Sequence, residues 1–158
     1  DLKTSPGRTR VVFGTNYSSA QEEPYPVNCG NETLIEIPLT VRETHALISP
    51  SASGAKPLAR SFLNVARGQS LQLRPNGRNL NELLWLVDHV ENSSSGYLMF
   101  MLHSSEFMPG GSPTFRTEED IERLYEHLDK VFDRVSRGFT GMTIGDYARE
   151  VSFGEAVR

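Results

Sequence analysis

Cysteine is almost absent: Cys29 is the only one in 158 residues. One thiol excludes an intrachain disulfide and fits a reducing compartment, so the expected location is cytoplasmic. No Cys/His spacing resembles a zinc site, so no metal ligands are expected within the chain. Positive charge is also scarce, with 16 Lys and Arg against 20 Asp and Glu and a formal net charge of −4. The basic residues are scattered and not interleaved with aromatics, which argues against a nucleic-acid partner. No apolar run approaches the ~18 residues of a membrane span. Residues 1–10 are too polar for a signal peptide, and a chain opening on Asp1 without methionine is expected to be processed or cut from something longer. Asn-x-Ser/Thr triplets at Asn16, Asn31 and Asn92 matter only in a secreted eukaryotic chain.

What is present is an alternation of short β-branched runs and amphipathic stretches. The length suits one domain, read as an irregular lead-in over 1–32 and a β/α core over 33–150. Arg10 to Phe13 is a short candidate strand. Thr33 to Val41, "TLIEIPLTV", is a second, with Pro38 marking an edge, a bulge or the strand's end. Pro57 opens a helix carrying Leu58, Phe62 and Val65 until Gly68. Ser70 to Leu73 is a strand ended by the turn Arg74-Pro75-Asn76-Gly77. Asn79 or Asn81 then caps a helix with Leu80, Leu83, Leu84, Val87 and Val90 on one stripe. Tyr97 to Leu102 is a further strand. Thr117 to Asp120 has the form of a capping box, opening a helix with Ile121, Leu124, Tyr125, Leu128, Phe132 and Val135 on one face. Phe139 to Met142 is a short strand, and Thr143 caps a last helix with Ile144, Tyr147 and Val151. Strands alternating with helices predict an α/β fold with a largely parallel sheet.

The segment "YLMFMLHSSEFMPGGSP" concentrates the chemistry. An apolar strand ends abruptly on His103, Ser104, Ser105 and Glu106. In parallel α/β folds ligands lie at the carboxyl ends of strands, which makes His103 a candidate and places Arg74, at the preceding strand end, beside the same crevice. The competing reading is a polar strand end meeting solvent and an ordinary loop. Trp85 is read as partial core in preference to a sugar-stacking platform. Met99, Met101 and Met108 are read as packing. Gly110 and Gly111 suit either a close ligand or a loop that needs positive φ.

"FMLHSSEFMPGGSPTFRTEEDIERLYEHLDKVF" followed by "GFTGMTIGDYA" resembles the C-terminal part of polysaccharide deacetylases of the NodB-homology type, found in bacterial surface-polysaccharide clusters. "LIEIPLTV" and "LQLRP" fit the same pattern upstream. The resemblance implies the second half of an incomplete (β/α) barrel. It implies that Phe100 and Leu102 line an acetyl pocket and that His103 is the general acid; Arg74, Ser104, Ser105 and Glu106, at or just past the strand ends, are the further residues expected to contact a carbohydrate ligand. A complete family member would hold a divalent metal such as zinc through an Asp-Asp motif and a His-x-x-x-His pair. Here the histidines are His45, His89, His103 and His127, no two of them four apart, and no acidic pair follows a predicted strand.

The resemblance therefore implies a deacetylase segment without its metal and base, inactive by itself. The metal-dependent route needs an ion to polarise the acetyl carbonyl and deliver water, and a histidine to protonate the leaving amine. The alternative is a non-catalytic module that binds carbohydrate or another subunit. A Ser-His-Asp hydrolase is weaker still, since no Gly-x-Ser-x-Gly elbow is present. Half a barrel leaves an open parallel edge, so the expected partner is a second copy in a homodimer, or an upstream half of the same protein.

Overall fold

A computed structural model describes residues 21–45 and 69–155. The expected strand at 10–13 and the expected helix at 57–67 lie outside these residues. The described elements are β1 (Tyr25–Cys29), β2 (Glu32–Glu36), β3 (Val41–Thr44), β4 (Gln69–Gln72), α1 (Leu80–Glu91), a 3₁₀ turn (Ser104–Phe107), α2 (Glu118–Val135) and α3 (Ile144–Glu155).

The largely parallel sheet is not found. The described strands form two antiparallel pairs, β1 with β2 and β3 with β4. The half-barrel reading is corrected by that pairing, and the parallel edge that suggested a homodimer goes with it. Part of the cause lies in the lead-in, read as irregular up to residue 32. Residues 25–36 are a hairpin, with Cys29 paired to Glu32 across the two-residue turn Gly30-Asn31. Gly30 has φ +66°, as mirror-image hairpin turns require at their first central position. The expected strand at 33–41 is split: β2 stops two residues before Pro38, and β3 begins at Val41.

Tyr97 to Leu102 is not a regular strand either. The Thr40 N–H donates to the Met99 carbonyl (3.2 Å), and the Met101 N–H donates to the Leu73 carbonyl (3.4 Å). The Met99 N–H is taken by the Thr40 hydroxyl (2.7 Å), a side chain where a ladder would need a carbonyl. The apolar run is explained by two cores. Leu98 and Phe100 pack on a cluster of Leu73, Leu83, Leu86, Val87, Val90 and Val131. Phe100 and Leu102 pack on a second, built from Phe115, Ile121, Leu124 and Leu128. Phe100 joins the two.

The helices follow their sequence signals closely. The α1 stripe is buried against β4 and α2. Thr117 caps α2, its hydroxyl accepting the Asp120 N–H (3.3 Å) while the Asp120 carboxylate accepts the Thr117 N–H (3.2 Å). Thr143 caps α3, accepting from the Asp146 N–H at 3.1 Å. Arg134 of α2 reaches Asp88 (2.6 Å) and Glu91 of α1, tying the helix pair across its surface. Trp85 packs against the first core and stacks on His89 with ring centroids 4.7 Å apart, so its place is partial core. No helix among the described residues is long and apolar enough to cross a membrane.

Candidate functional site

The site begins where β4 ends. The Leu73 N–H donates to the Thr40 carbonyl (3.0 Å), and the chain then enters the Arg74-Pro75-Asn76-Gly77 turn. Gly77 has φ +73°, and a side chain there would meet the Phe115 ring at 3.2 Å. Asn79 occupies the position preceding α1 but does not cap it with its side chain. Its amide instead donates to the Arg74 carbonyl (3.0 Å) and accepts the Asn76 N–H (2.9 Å), which fastens the turn to the helix start.

The 3₁₀ turn brings in Glu106 from the opposite side. Glu106 is buried, and both of its oxygens are used. Oε1 accepts from the Arg74 guanidinium at 3.0 Å, and Oε2 accepts from the His103 N–H at 2.9 Å. Burial pushes this carboxyl upward, but the His103 N–H and the Arg74 guanidinium outweigh it. The net effect holds Glu106 below the usual glutamate value. The downstream loop is folded tightly beneath the turn. Gly110 has φ +75°, and a Cβ on Gly111 would lie 2.1 Å from the Ser105 carbonyl oxygen. Loop geometry therefore accounts for both glycines.

Arg74 and Glu106 share the wall of a cleft of about 470 Å³ with Gln72, Asn76, Asn79 and Glu82. Thr114 and Ser70 add hydroxyls, and among the described residues Leu71 and Pro75 are the apolar side chains in the lining. Of the residues singled out by sequence, Arg74 and Glu106 meet in an ion pair. His103 is exposed and does not line the cleft; its contribution is its backbone N–H. Ser104 and Ser105 are exposed, and Phe100 and Leu102 pack into the cores. Sequence reasoning missed Glu82, Asn76 and Asn79. The available signal was "RPNGRNLNE", a polar turn feeding directly into a helix after a strand end.

Among the described residues, no group of three or more His, Cys, Asp or Glu side chains is gathered as a metal site needs. Comparison with known proteins finds no match: no family model, no curated protein and no solved structure is significantly similar to the chain.

Proposed function

We propose that this chain is a non-catalytic binding module whose ligand is a small, hydroxyl-rich molecule of the carbohydrate class, held in the cleft between the β4–α1 turn and the 3₁₀ turn. The observation that carries this reading is the lining. Most small-molecule pockets are largely apolar with a few polar groups. Here carboxylate, guanidinium, carboxamide and hydroxyl side chains dominate the wall. Such a surface offers closely spaced donors and acceptors, which is what a ligand covered in hydroxyls requires.

The non-catalytic reading is favoured over the hydrolytic one by how the titratable groups are used. Glu106 already accepts from the Arg74 guanidinium and the His103 N–H and is held below the usual glutamate value, which makes it a poor acceptor of a substrate proton. A general acid must reach the leaving group within hydrogen-bonding distance, and His103 does not border the cleft.

The test is a two-dimensional amide NMR titration with neutral mono- and oligosaccharides. Saturable shifts are expected at Asn76, Gly77 and Asn79. Thr114→Trp, which fills the cleft from its exposed rim, should weaken binding at least about tenfold while the thermal midpoint holds. An absence of saturable shifts with every sugar would overturn the proposal.

A further inference from the structure

We infer that one margin of α2 is a docking surface for a basic amphipathic helix of another protein, separate from the cleft. The sequence puts Tyr125 and Phe132 on the packed face of α2, yet about half of each side chain meets solvent, 48% and 49%. The two stand seven residues apart, which is two turns along the same side of a helix. The 3₁₀ turn extends this ridge. The Phe107 ring lies 5.7 Å from that of Tyr125, and Met108 follows it, 59% exposed. None of these side chains lines the cleft. Single exposed apolar side chains are ordinary, but adjoining large ones mark an interaction surface.

Charge identifies the occupant. At about 100° per residue, Glu118, Glu122, Glu126, Asp129 and Asp133 all fall within about 100° of Tyr125 on its solvent side. All five are exposed, and among the described residues Asp133 alone has an ion-pair partner, Arg137 at 2.5 Å. The basic residues Arg123, Lys130 and Arg134 lie on the far side of the helix. Two of them are engaged there, Arg123 with Asp120 and Arg134 with Asp88 and Glu91. An aromatic ridge beside an acidic stripe is complementary to a helix whose apolar anchors are flanked by Lys and Arg. The length fits too, since Tyr125 and Phe132 are about 10 Å apart along the axis, the separation of i and i+7 anchors. A second copy fits poorly, because ridge-to-ridge contact would bring two acidic stripes together.

The test is fluorescence anisotropy of the full chain with a labelled Leu/Lys peptide patterned as an amphipathic helix, and with its Leu/Glu counterpart. The Leu/Lys peptide should bind saturably and at least about tenfold more tightly than the Leu/Glu peptide. Glu122→Lys with Asp129→Lys should abolish that preference. Glu32→Lys with Glu36→Lys, an equal charge change on the β1–β2 hairpin, should leave it in place. Tyr125→Ser keeps every charge and should weaken Leu/Lys binding at least about fivefold, as loss of an aromatic anchor does. Circular dichroism checks that each variant keeps its helices. No saturable binding, equal binding of the two peptides, or Leu/Lys binding unaltered in either ridge variant would overturn the inference. So would a dimer in sedimentation velocity that Tyr125→Ser converts to monomer, since a second copy would then cover the ridge. Nuclear Overhauser contacts from the Tyr125 ring to residues 46–68 would overturn it as well, by showing that the chain covers its own ridge.

Discussion

Two arginines anchor two polar clusters, one on β3 and one just past the end of its partner β4, and they do so with opposite burial. Arg42 is itself buried, with a side chain 9% exposed, while its carboxylate partners Glu22 (3.5 Å) and Glu23 (3.0 Å) are each half exposed. Its guanidinium also donates to the Val41 carbonyl (2.8 Å) and the Ser95 hydroxyl (2.7 Å). At the cleft the roles reverse: the Arg74 side chain is 36% exposed and Glu106 is the buried member. The difference separates fastening from recognition. Around Arg42 the polar atoms are consumed by the protein, and the Tyr97 hydroxyl closes the arrangement against the Glu22 and Pro38 carbonyls (2.9 and 3.1 Å). Around Glu106 the buried charge is satisfied, but the guanidinium that satisfies it faces an open cleft.

The largest expected effect comes from moving the Glu106 turn without altering a charge. Gly111→Ala places a methyl group 2.1 Å from the Ser105 carbonyl, so the backbone carrying Glu106 must shift. A loss of about 3 kcal/mol is expected in denaturant unfolding, the upper range for forced overpacking. A loss under about 0.5 kcal/mol would mean that the turn is soft and that Glu106 is not held by it.

Next is the double change Glu22→Gln with Glu23→Gln, which leaves Arg42 buried with neutral partners. About 2 kcal/mol is expected, below the cost of breaking a fully buried pair because both glutamates are half exposed. A second readout is Tyr97, whose pKa is raised to about 12, first by burial and then by Glu23, with Arg42 opposing. Its contribution to stability is present below the free value of 10 and is lost as pH rises towards about 12. With the acids neutralised, ultraviolet titration should show this tyrosine ionising at lower pH. An unchanged titration would show that burial alone sets its value.

Arg74→Ala breaks the other cluster more gently, by about 1 kcal/mol, because the open cleft lets water replace the guanidinium and Oε2 keeps the His103 N–H. The acid limb of stability is the sharper readout. The folded value of Glu106 is depressed, so its contribution is present above the free glutamate value of 4.5 and is lost as pH falls through the folded value. In Arg74→Ala the folded value moves up towards the free one, so that loss should be smaller and complete at higher pH. A superimposable acid limb would mean that the His103 N–H holds the carboxylate by itself.

The helices were legible in sequence because their signals are local. Thr117 with Asp120 and Thr143 with Asp146 close caps within one turn, and the α1 and α2 stripes repeat at helical spacing. Strand pairing was not legible, since partner choice depends on contacts distant in sequence. Thr40, 59 residues from Met99, takes the amide that a parallel ladder would have used. The hairpin was readable in principle, from Gly30-Asn31 between Val27 and Leu34, but the Ser-, Asn-, Gly- and Pro-rich composition of the lead-in reads as a loop. At the site, a strand-end rule placed Arg74 beside a crevice, and Arg74 does line a cleft although the parallel sheet behind the rule is absent. The same rule misplaced His103, because a 3₁₀ turn sends Glu106 inward and leaves the imidazole outside.

His127 extends the contrast to a buried ionisable group whose Nδ1 has no hydrogen-bond partner among the described residues, and it gives the smallest effect. It lies on the buried face of α2 beside Leu124 and Leu128. Burial first, then the positive charges of Lys130 and Arg123, hold its pKa below 6.5, with Glu126 opposing. A base with a depressed folded pKa is neutral in the folded chain while the unfolded chain takes up a proton. Its effect on stability is therefore nil above about pH 6.5, and stability is lost as pH falls from there through the folded value. Unfolding free energies measured from pH 7.5 to 5.5 should decline by less than about 1 kcal/mol, since the ring is only partly desolvated. His127→Gln should flatten that decline, whereas His103→Gln, which removes an exposed ring, should leave it in place. If His127→Gln retains the full slope, the acid sensitivity in this range belongs to another group, and solvent or a neighbouring side chain reaches the buried nitrogen.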